Sequence, residues 1–258
     1  MKRIFSFILI CMLCVVLLAV QVSAAERLDW YCNKSKDHKQ PPIPPEFSFL
    51  RECGGYCIDR AHGDASEDKV VYLTFDAGYE NGNVARILDT LKETGTPGAF
   101  FVLKHLVKAN PELVNRMVDE GHLVCNHTAS HKNLSNADEN AVRAEIHALE
   151  AAFEEETGKT LAKYFRPPEG AFSRELLEKV NALGYRTVFW SIAYADWDNE
   201  RQPNPEKALS CLMERMHNGA VILLHPTSAT NAKILSELIA KLRAEGYRFG
   251  TLDELCGV

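Results

Sequence analysis

Seven short apolar runs divide most of the chain at intervals: Val70–Phe75, Ala99–Leu103, Leu123–Cys125, Tyr164–Phe165, Thr187–Trp190, Ala220–Leu224 and Tyr247–Phe249. They are continuous rather than alternating, which is the pattern of strands buried on both faces in a parallel sheet. Between them lie amphipathic stretches of helical period at Asn83–Thr94, Asp138–Thr157, Ser173–Leu183 and Asn231–Ala244. Asn110-Pro111 and Asn204-Pro205 have the form of an N-cap followed by a proline at the first helical position. Gly121, Gly184, Gly219 and Gly246 each close a helical stretch just before a strand. This alternation predicts one α/β domain, either a barrel or a doubly wound sheet. No glycine-rich phosphate loop follows the first strand, which favours the barrel. In both architectures ligands gather at the C-terminal ends of the strands.

Two segments precede this pattern. Residues 26–66 are polar and carry Pro41-Pro42-Ile43-Pro44-Pro45 at their centre. Prolines at that density favour extended backbone over helix or central strand, so the stretch is expected to be an arm lying on the domain. Before it, Lys2 and Arg3 lead into Ile4–Val20, apolar except for Ser6, and then small residues to Ala25. That is the form of a secretory signal, cleaved after Ala24 or Ala25. An uncleaved anchor is the alternative, since ~20 apolar residues span a bilayer. The expected organisation is therefore a signal at 1–25, an arm at 26–66 and one domain at 67–258.

Composition narrows the options further. The 258 residues are 46% hydrophobic and 25% charged, which is ordinary for a globular protein. Lys and Arg number 29 against 35 Asp and Glu, a net −6, and loss of Lys2 and Arg3 with the signal makes it −8. Nothing in that balance suits nucleic acid. Of eight cysteines, Cys11 and Cys14 lie in the signal. In an exported chain the remaining six can form disulfides, with Cys32, Cys53 and Cys57 of the arm the first expected to pair and Cys125 a buried thiol. Cys53-x3-Cys57 has no second cysteine pair, which argues against structural zinc there.

The residues that follow the strands carry the chemistry. Asp76 directly follows the first apolar run, a rigid placement beside a hydrophobic wall that suits a base activating water. His127 and His131 follow the third run; on a helical turn, i and i+4 imidazoles share a face and can hold one metal ion such as zinc. Arg166 follows the fourth run and can keep Asp76 ionised. Asp196 follows the fifth and can orient His225, the residue that ends the sixth and suits a general acid. Trp197 offers a flat face for a sugar ring. Five of the seven strands thus deliver a charged or ligating side chain to one end.

In order and approximate spacing, T-F-D-A-G, H-T-A-S-H, R-P-P-E-G-x-F, D-W and L-L-H resemble the motifs of the polysaccharide deacetylases, carbohydrate esterase family four, with its NodB-homology domain. The resemblance covers roughly residues 67–255. It is most similar to the branch of delta-lactam-biosynthetic de-N-acetylases of spore-forming bacteria, which the arm also resembles in Trp30-Tyr31 and His38-Lys39-Gln40-Pro41. It implies a single distorted (β/α)7 barrel of NodB type with an irregular N-terminal arm, and a catalytic domain at 67–258. It also implies removal of acetyl from N-acetylmuramic acid in peptidoglycan glycan strands, after which the freed amine closes a muramic δ-lactam in the spore cortex. The implied roles are Asp76 as base, Arg166 orienting it, and His225 as acid supported by Asp196. His127 and His131 are implied as ligands of a divalent metal, expected to be zinc. The substrate-binding set is Tyr79, Glu169, Trp197 and Leu223, with a backbone N–H near Glu169 at the oxyanion and Leu223 against the acetyl methyl. The protein is expected to be an exported monomer.

One position departs from the wider family, whose T-F-D-D-G motif supplies a third metal ligand where this chain has Ala77. Water is the default replacement, with Glu80 and Asp76 as alternatives, and the substitution predicts weaker or less zinc-selective binding. Two other functions stay open: deacetylation of N-acetylglucosamine in peptidoglycan or chitin-like glycans, and a wall-binding module without catalysis.

Overall fold

The apolar runs become the strands of one curled sheet. The structure, a computed structural model, describes residues 26–258, so the expected export signal lies outside the described residues. In chain order the strands are β1 (Leu28–Asp29), β2 (Gly55–Tyr56), β3 (Lys69–Ala77), β4 (Ala99–Val102), β5 (Leu123–Asn126), β6 (Ala162–Phe165), β7 (Ala171–Phe172), β8 (Arg186–Val188), β9 (Ala220–Leu224) and β10 (Tyr247–Phe249). The main sheet runs β10-β3-β4-β5-β6-β8-β2, with β9 also paired to β3, and every ladder in it is parallel. After β8 the chain reaches β9, where Ser191 and Ile192 donate to Val221 O and Leu223 donates to Ile192 O. These few bonds bring the sheet round into the distorted (β/α)7 barrel expected from the sequence pattern.

Helices form where the 3.6-residue period predicts them, at Asn83–Thr94, Glu139–Thr157, Arg174–Ala182 and Ala229–Ala244, with further helices at Pro111–Asp119 and Pro205–Arg215. Asp138, Ser173 and Asn204 cap three of them by accepting from the backbone N–H of Ala141, Leu176 and Lys207. Asn110 makes no such bond, although Pro111 does open its helix. Among the described residues, no helix is long and apolar enough to cross a membrane.

Residues 26–66 carry more regular structure than their prolines suggest. β1 pairs antiparallel with β7, β2 adds an edge strand to β8, and Pro45–Phe47 forms a 3-10 turn. Two-residue strands have too few positions to show a period, so only tertiary pairing creates them. The expectation that the arm cysteines pair is corrected: all six cysteines from Cys32 to Cys256 are thiols. Cys53 Sγ lies 3.7 Å from Arg174 Nη1 on the helix below, while Cys57 sits in an apolar cluster where burial pushes its thiol up to about 12. Cys125 is fully buried in the sheet.

The arm is locked to the barrel at Gly219, whose φ of 72° lies in the left-handed region. Asp59 donates its backbone N–H to Gly219 O at 2.9 Å. A Cβ on Gly219 would stand 2.3 Å from Asp59 O and 2.7 Å from Gln40 Nε2. Gly219→Ala is therefore expected to cost about 2 kcal/mol or more, combining strain with a backbone clash. Urea melts measure the loss, and limited proteolysis within 26–66 reports the loosened arm.

His217, next to this contact, is completely buried between Asn218 O at 2.8 Å and Ser191 Oγ at 3.0 Å. Burial pushes its pKa down to about 4, against ~6.5 in an unfolded chain. A depressed folded pKa gives stability that is fully present above ~6.5 and is lost as pH falls toward the folded value. Between those limits the wild type is expected to lose up to ~1.4 kcal/mol per pH unit more than His217→Gln. Parallel denaturant melts of the two proteins across that window measure the difference.

Candidate active site

Strand alternation carries the functional side chains into the barrel. On β3, Val70 and Tyr72 join the core inside the sheet, whereas Val71, Leu73, Phe75 and Ala77 pack outward with the helices. Thr74 and Asp76 continue the inward set by the two-residue period. The same parity extends Cys125 to His127, Tyr164 to Arg166, Val188 to Trp190, and Val221 through Leu223 to His225. Each strand thus ends by delivering a side chain to the C-terminal mouth. There the structure brings together Asp76, Tyr79, His127, His131, Glu169, Trp197, Leu223 and His225 around a cleft of about 890 Å³. Arg166 and Asp196 stand directly behind it, both buried.

Arg166 is not at the rim; it is wholly inside the barrel. Its Nη1 donates to Asp76 Oδ1 at 2.7 Å, Nη2 to Thr74 Oγ1 at 2.9 Å, and Nε to Val188 O at 2.9 Å. The guanidinium also lies 4.1 Å from the centre of the Phe101 ring. Burial alone would raise the Asp76 pKa, but Arg166, His127 and His225 outweigh it and hold the carboxyl below its usual value. Asp76 therefore enters the cleft as a carboxylate with one oxygen fixed.

His127 Nδ1 lies 2.8 Å from Arg166 O, and a carbonyl only accepts, so Nδ1 carries the proton. Its Nε2 lone pair is left free, 3.6 Å from Asp76 Oδ2. Burial pushes the His127 pKa down to about 4, so the ring is neutral at physiological pH. Asp196 Oδ1 accepts from His225 Nδ1 at 2.7 Å, and Asp196 Oδ2 accepts from the His225 backbone N–H at 2.8 Å. Burial lowers the His225 pKa, but the Asp196 hydrogen bond and charge, with Asp76 beyond, bring it above the ordinary histidine value. A fixed carboxylate base and a proton-bearing imidazole thus share one cleft, an arrangement suited to hydrolysis.

Two expectations about metal binding are corrected. His127-x3-His131 is not helical: Thr128 and His131 have φ of 72° and 58°, and the segment is an irregular loop. The two rings still meet, with centroids 5.0 Å apart at 70°, because Thr128 Oγ1 accepts from the His131 N–H and ties the loop back. Glu80 is not available as a third ligand, since its carboxylate accepts from Gly82 N at 2.7 Å and Val84 N at 3.0 Å at the start of the following helix. Ala77 is buried in the outer apolar layer. Two imidazoles and the Asp76 carboxylate are donors of the type a zinc-like ion takes, although their three ligand atoms do not all lie within 4.8 Å of one another. Among the described residues the set so gathered is His62, Asp68 and Glu254, where Arg248 already bridges both carboxylates.

The cleft also holds residues that the sequence did not single out. Leu103, Trp190 and Tyr194 line it. Trp190 is held from the arm, as Trp30 donates its indole N–H to Trp190 O at 3.0 Å and its backbone N–H to Gly170 O at 2.8 Å. Strand parity was the available signal for Leu103 and Trp190; nothing in the sequence pointed to Trp30 bonding to Trp190.

A barrel that gathers an ionised aspartate, a carboxylate-bound imidazole and aromatic side chains at its C-terminal mouth has the form of a hydrolase site for a sugar-bearing substrate. The chain belongs to the polysaccharide deacetylases of carbohydrate esterase family four, hydrolases that act on amide bonds. The family model "Polysaccharide deacetylase" matches residues 63–188. Peptidoglycan-N-acetylmuramic acid deacetylase PdaA of Bacillus subtilis is 36% identical over 230 residues, 89% of this chain and 86% of that protein. The solved structure of Bacillus subtilis PdaA, described as a family 4 carbohydrate esterase, superposes with a TM-score of 0.84 at 35% identity, covering 89% of this chain and 97% of that one. A chitooligosaccharide deacetylase of Bradyrhizobium is 31% identical over 214 residues, 78% of this chain and 96% of that protein.

Proposed function

We propose that this protein is a metal-dependent peptidoglycan de-N-acetylase that removes acetyl from N-acetylmuramic acid on the way to muramic δ-lactam in the spore cortex. The observation that carries this is the cleft itself, in which Arg166-bound Asp76 and Asp196-bound His225 face one space. The similarity to PdaA over nearly the whole length of both proteins favours the muramic sugar over glucosamine. The working location is outside the cytoplasm, with 1–25 as the export segment, 26–66 as the arm and 67–258 as the catalytic domain acting as a monomer.

Asp76 takes the proton from the attacking water through Oδ2, since Oδ1 is committed to Arg166. A neutral His127 Nε2 and the His131 ring are the groups that hold a divalent ion, which when bound supplies Lewis-acid polarisation of the acetamide. The role of oxyanion donor falls to a backbone N–H at Glu169, a residue whose carboxyl side chain lines the cleft. Asp196 stabilises the His225 imidazolium, whose Nε2 gives its proton to the departing amine and leaves the ring neutral. Leu223 borders the acetyl methyl, and Tyr79 and Trp197, both exposed, provide the sugar platform.

Peptide-stripped peptidoglycan glycan and chitin oligomers, offered in parallel with added zinc and followed by mass spectrometry, test this. Loss of acetyl from muramic residues is the expected result. Acetate released only from the chitin oligomers would replace the reading with a glucosamine deacetylase, and binding without turnover at any divalent metal would replace it with a wall-binding module.

A further inference from the structure

We propose that Asn231 is a positioning residue for the Asp196–His225 pair, fixing the carboxylate so that the imidazole presents its free nitrogen to the cleft. This rests on the assignment of His225 as the acid. Asn231 lies in the first turn of the helix Ala229–Ala244 and is completely buried. Its Nδ2 donates to Asp196 Oδ2 at 2.6 Å and to His225 O at 3.0 Å. Its Oδ1 accepts from Tyr194, which lines the cleft. One amide thus touches the carboxylate, the backbone of the histidine and the wall of the site.

Geometry explains why a neutral amide stands here. Asp196 Oδ1 is taken by His225 Nδ1, and Oδ2 by the His225 N–H and Asn231. Without the third donor the carboxylate is held by His225 alone, through the same residue it is meant to orient, and no other side chain fixes its plane. Ser228 Oγ accepts from the Asn231 backbone N–H at 3.1 Å and itself donates to Gln202 Oε1 at 2.6 Å, so the amide is held on the helix's first turn. The charged and titratable groups facing the pair are Asp76 of β3, Arg166 beyond it and Tyr194; Gln202 is neutral. Among the described residues His225 is the ion-pair partner of Asp196, so the neutral amide's role is orientation rather than neutralisation.

Two substitutions test this, each assayed for acetate release from peptide-free peptidoglycan glycan strands alongside His225→Ala. Asn231→Leu removes the donor, and is expected to lower kcat ~10-fold or more at unchanged KM across the pH range. Asn231→Asp keeps the shape but donates only while the 196–231 carboxyl pair shares a proton. Its kcat relative to wild type is expected to be within ~3-fold at about pH 5 and to fall ~10-fold further by about pH 8. Circular dichroism at each pH confirms folding, so the pH-dependent ratio separates positioning from packing. Wild-type kcat in Asn231→Leu, or a ratio for Asn231→Asp that does not change with pH, overturns the inference when His225→Ala is inactive. Full activity in His225→Ala overturns the acid assignment and the inference with it.

Discussion

Asp76→Asn is expected to lower acetate release from peptidoglycan glycan strands by about 10²–10⁴-fold with little change in KM, the usual weight of a positioned acid–base group. The substitution is isosteric, so the amide oxygen can still accept from Arg166 Nη1, which lies 2.7 Å from Oδ1. What disappears is the second oxygen's basicity. In the native site the Arg166 charge, with His225 beyond it, opposes the penalty of burial and favours the carboxylate. A neutral amide has no counterpart. Circular dichroism should show a native fold, and saturating metal should not restore the rate. Near-normal acetate release from the variant would remove Asp76 from the mechanism.

Arg166→Met is expected to destabilise the protein by about 3 kcal/mol and to reduce turnover at least as much as Asp76→Asn, because one partner of a buried pair is left uncompensated. Asp76 is only 10% exposed and Arg166 is not exposed at all. Methionine fills similar space but supplies none of the N–H groups now given to Asp76, Thr74, Val188 O and Phe189 O. Arg166→Lys should not rescue activity, since a single ammonium cannot serve acceptors in three directions. The double variant Asp76→Leu, Arg166→Met should recover most of the lost stability and none of the activity, because an apolar pair removes the buried charges together. Urea melts of the four proteins decide this; a single variant as stable as wild type would mean that Arg166 is a spectator.

The legible part of the molecule is the part that repeats. Continuous apolar runs gave the seven barrel strands because both faces of each are covered, and of the two N-caps read from the sequence Asn204 bonds as expected while Asn110 does not. Their ends pointed to one mouth, and the residues placed there do meet in one cleft. What failed had no local period. β1, β2 and β7 are two residues long. The loop carrying His127 and His131 uses left-handed backbone at Thr128 and His131, which are not glycines. Glu80 turned back to its own helix, and the arm cysteines remained thiols.

By itself, then, the sequence determined the barrel and the inventory of its mouth, since hydrophobic period and strand order depend on neighbours along the chain. The tertiary structure decided what those groups are. Arg166 could have been a rim charge, and it became the cation inside the barrel only because residues 74, 76, 101 and 188 converge on it from other strands. Asn231 gained its place beside Asp196 in the same way, across 35 residues of chain. Burial and the direction of a hydrogen bond set protonation and orientation, and both are properties of packing between elements, which no single stretch of sequence contains.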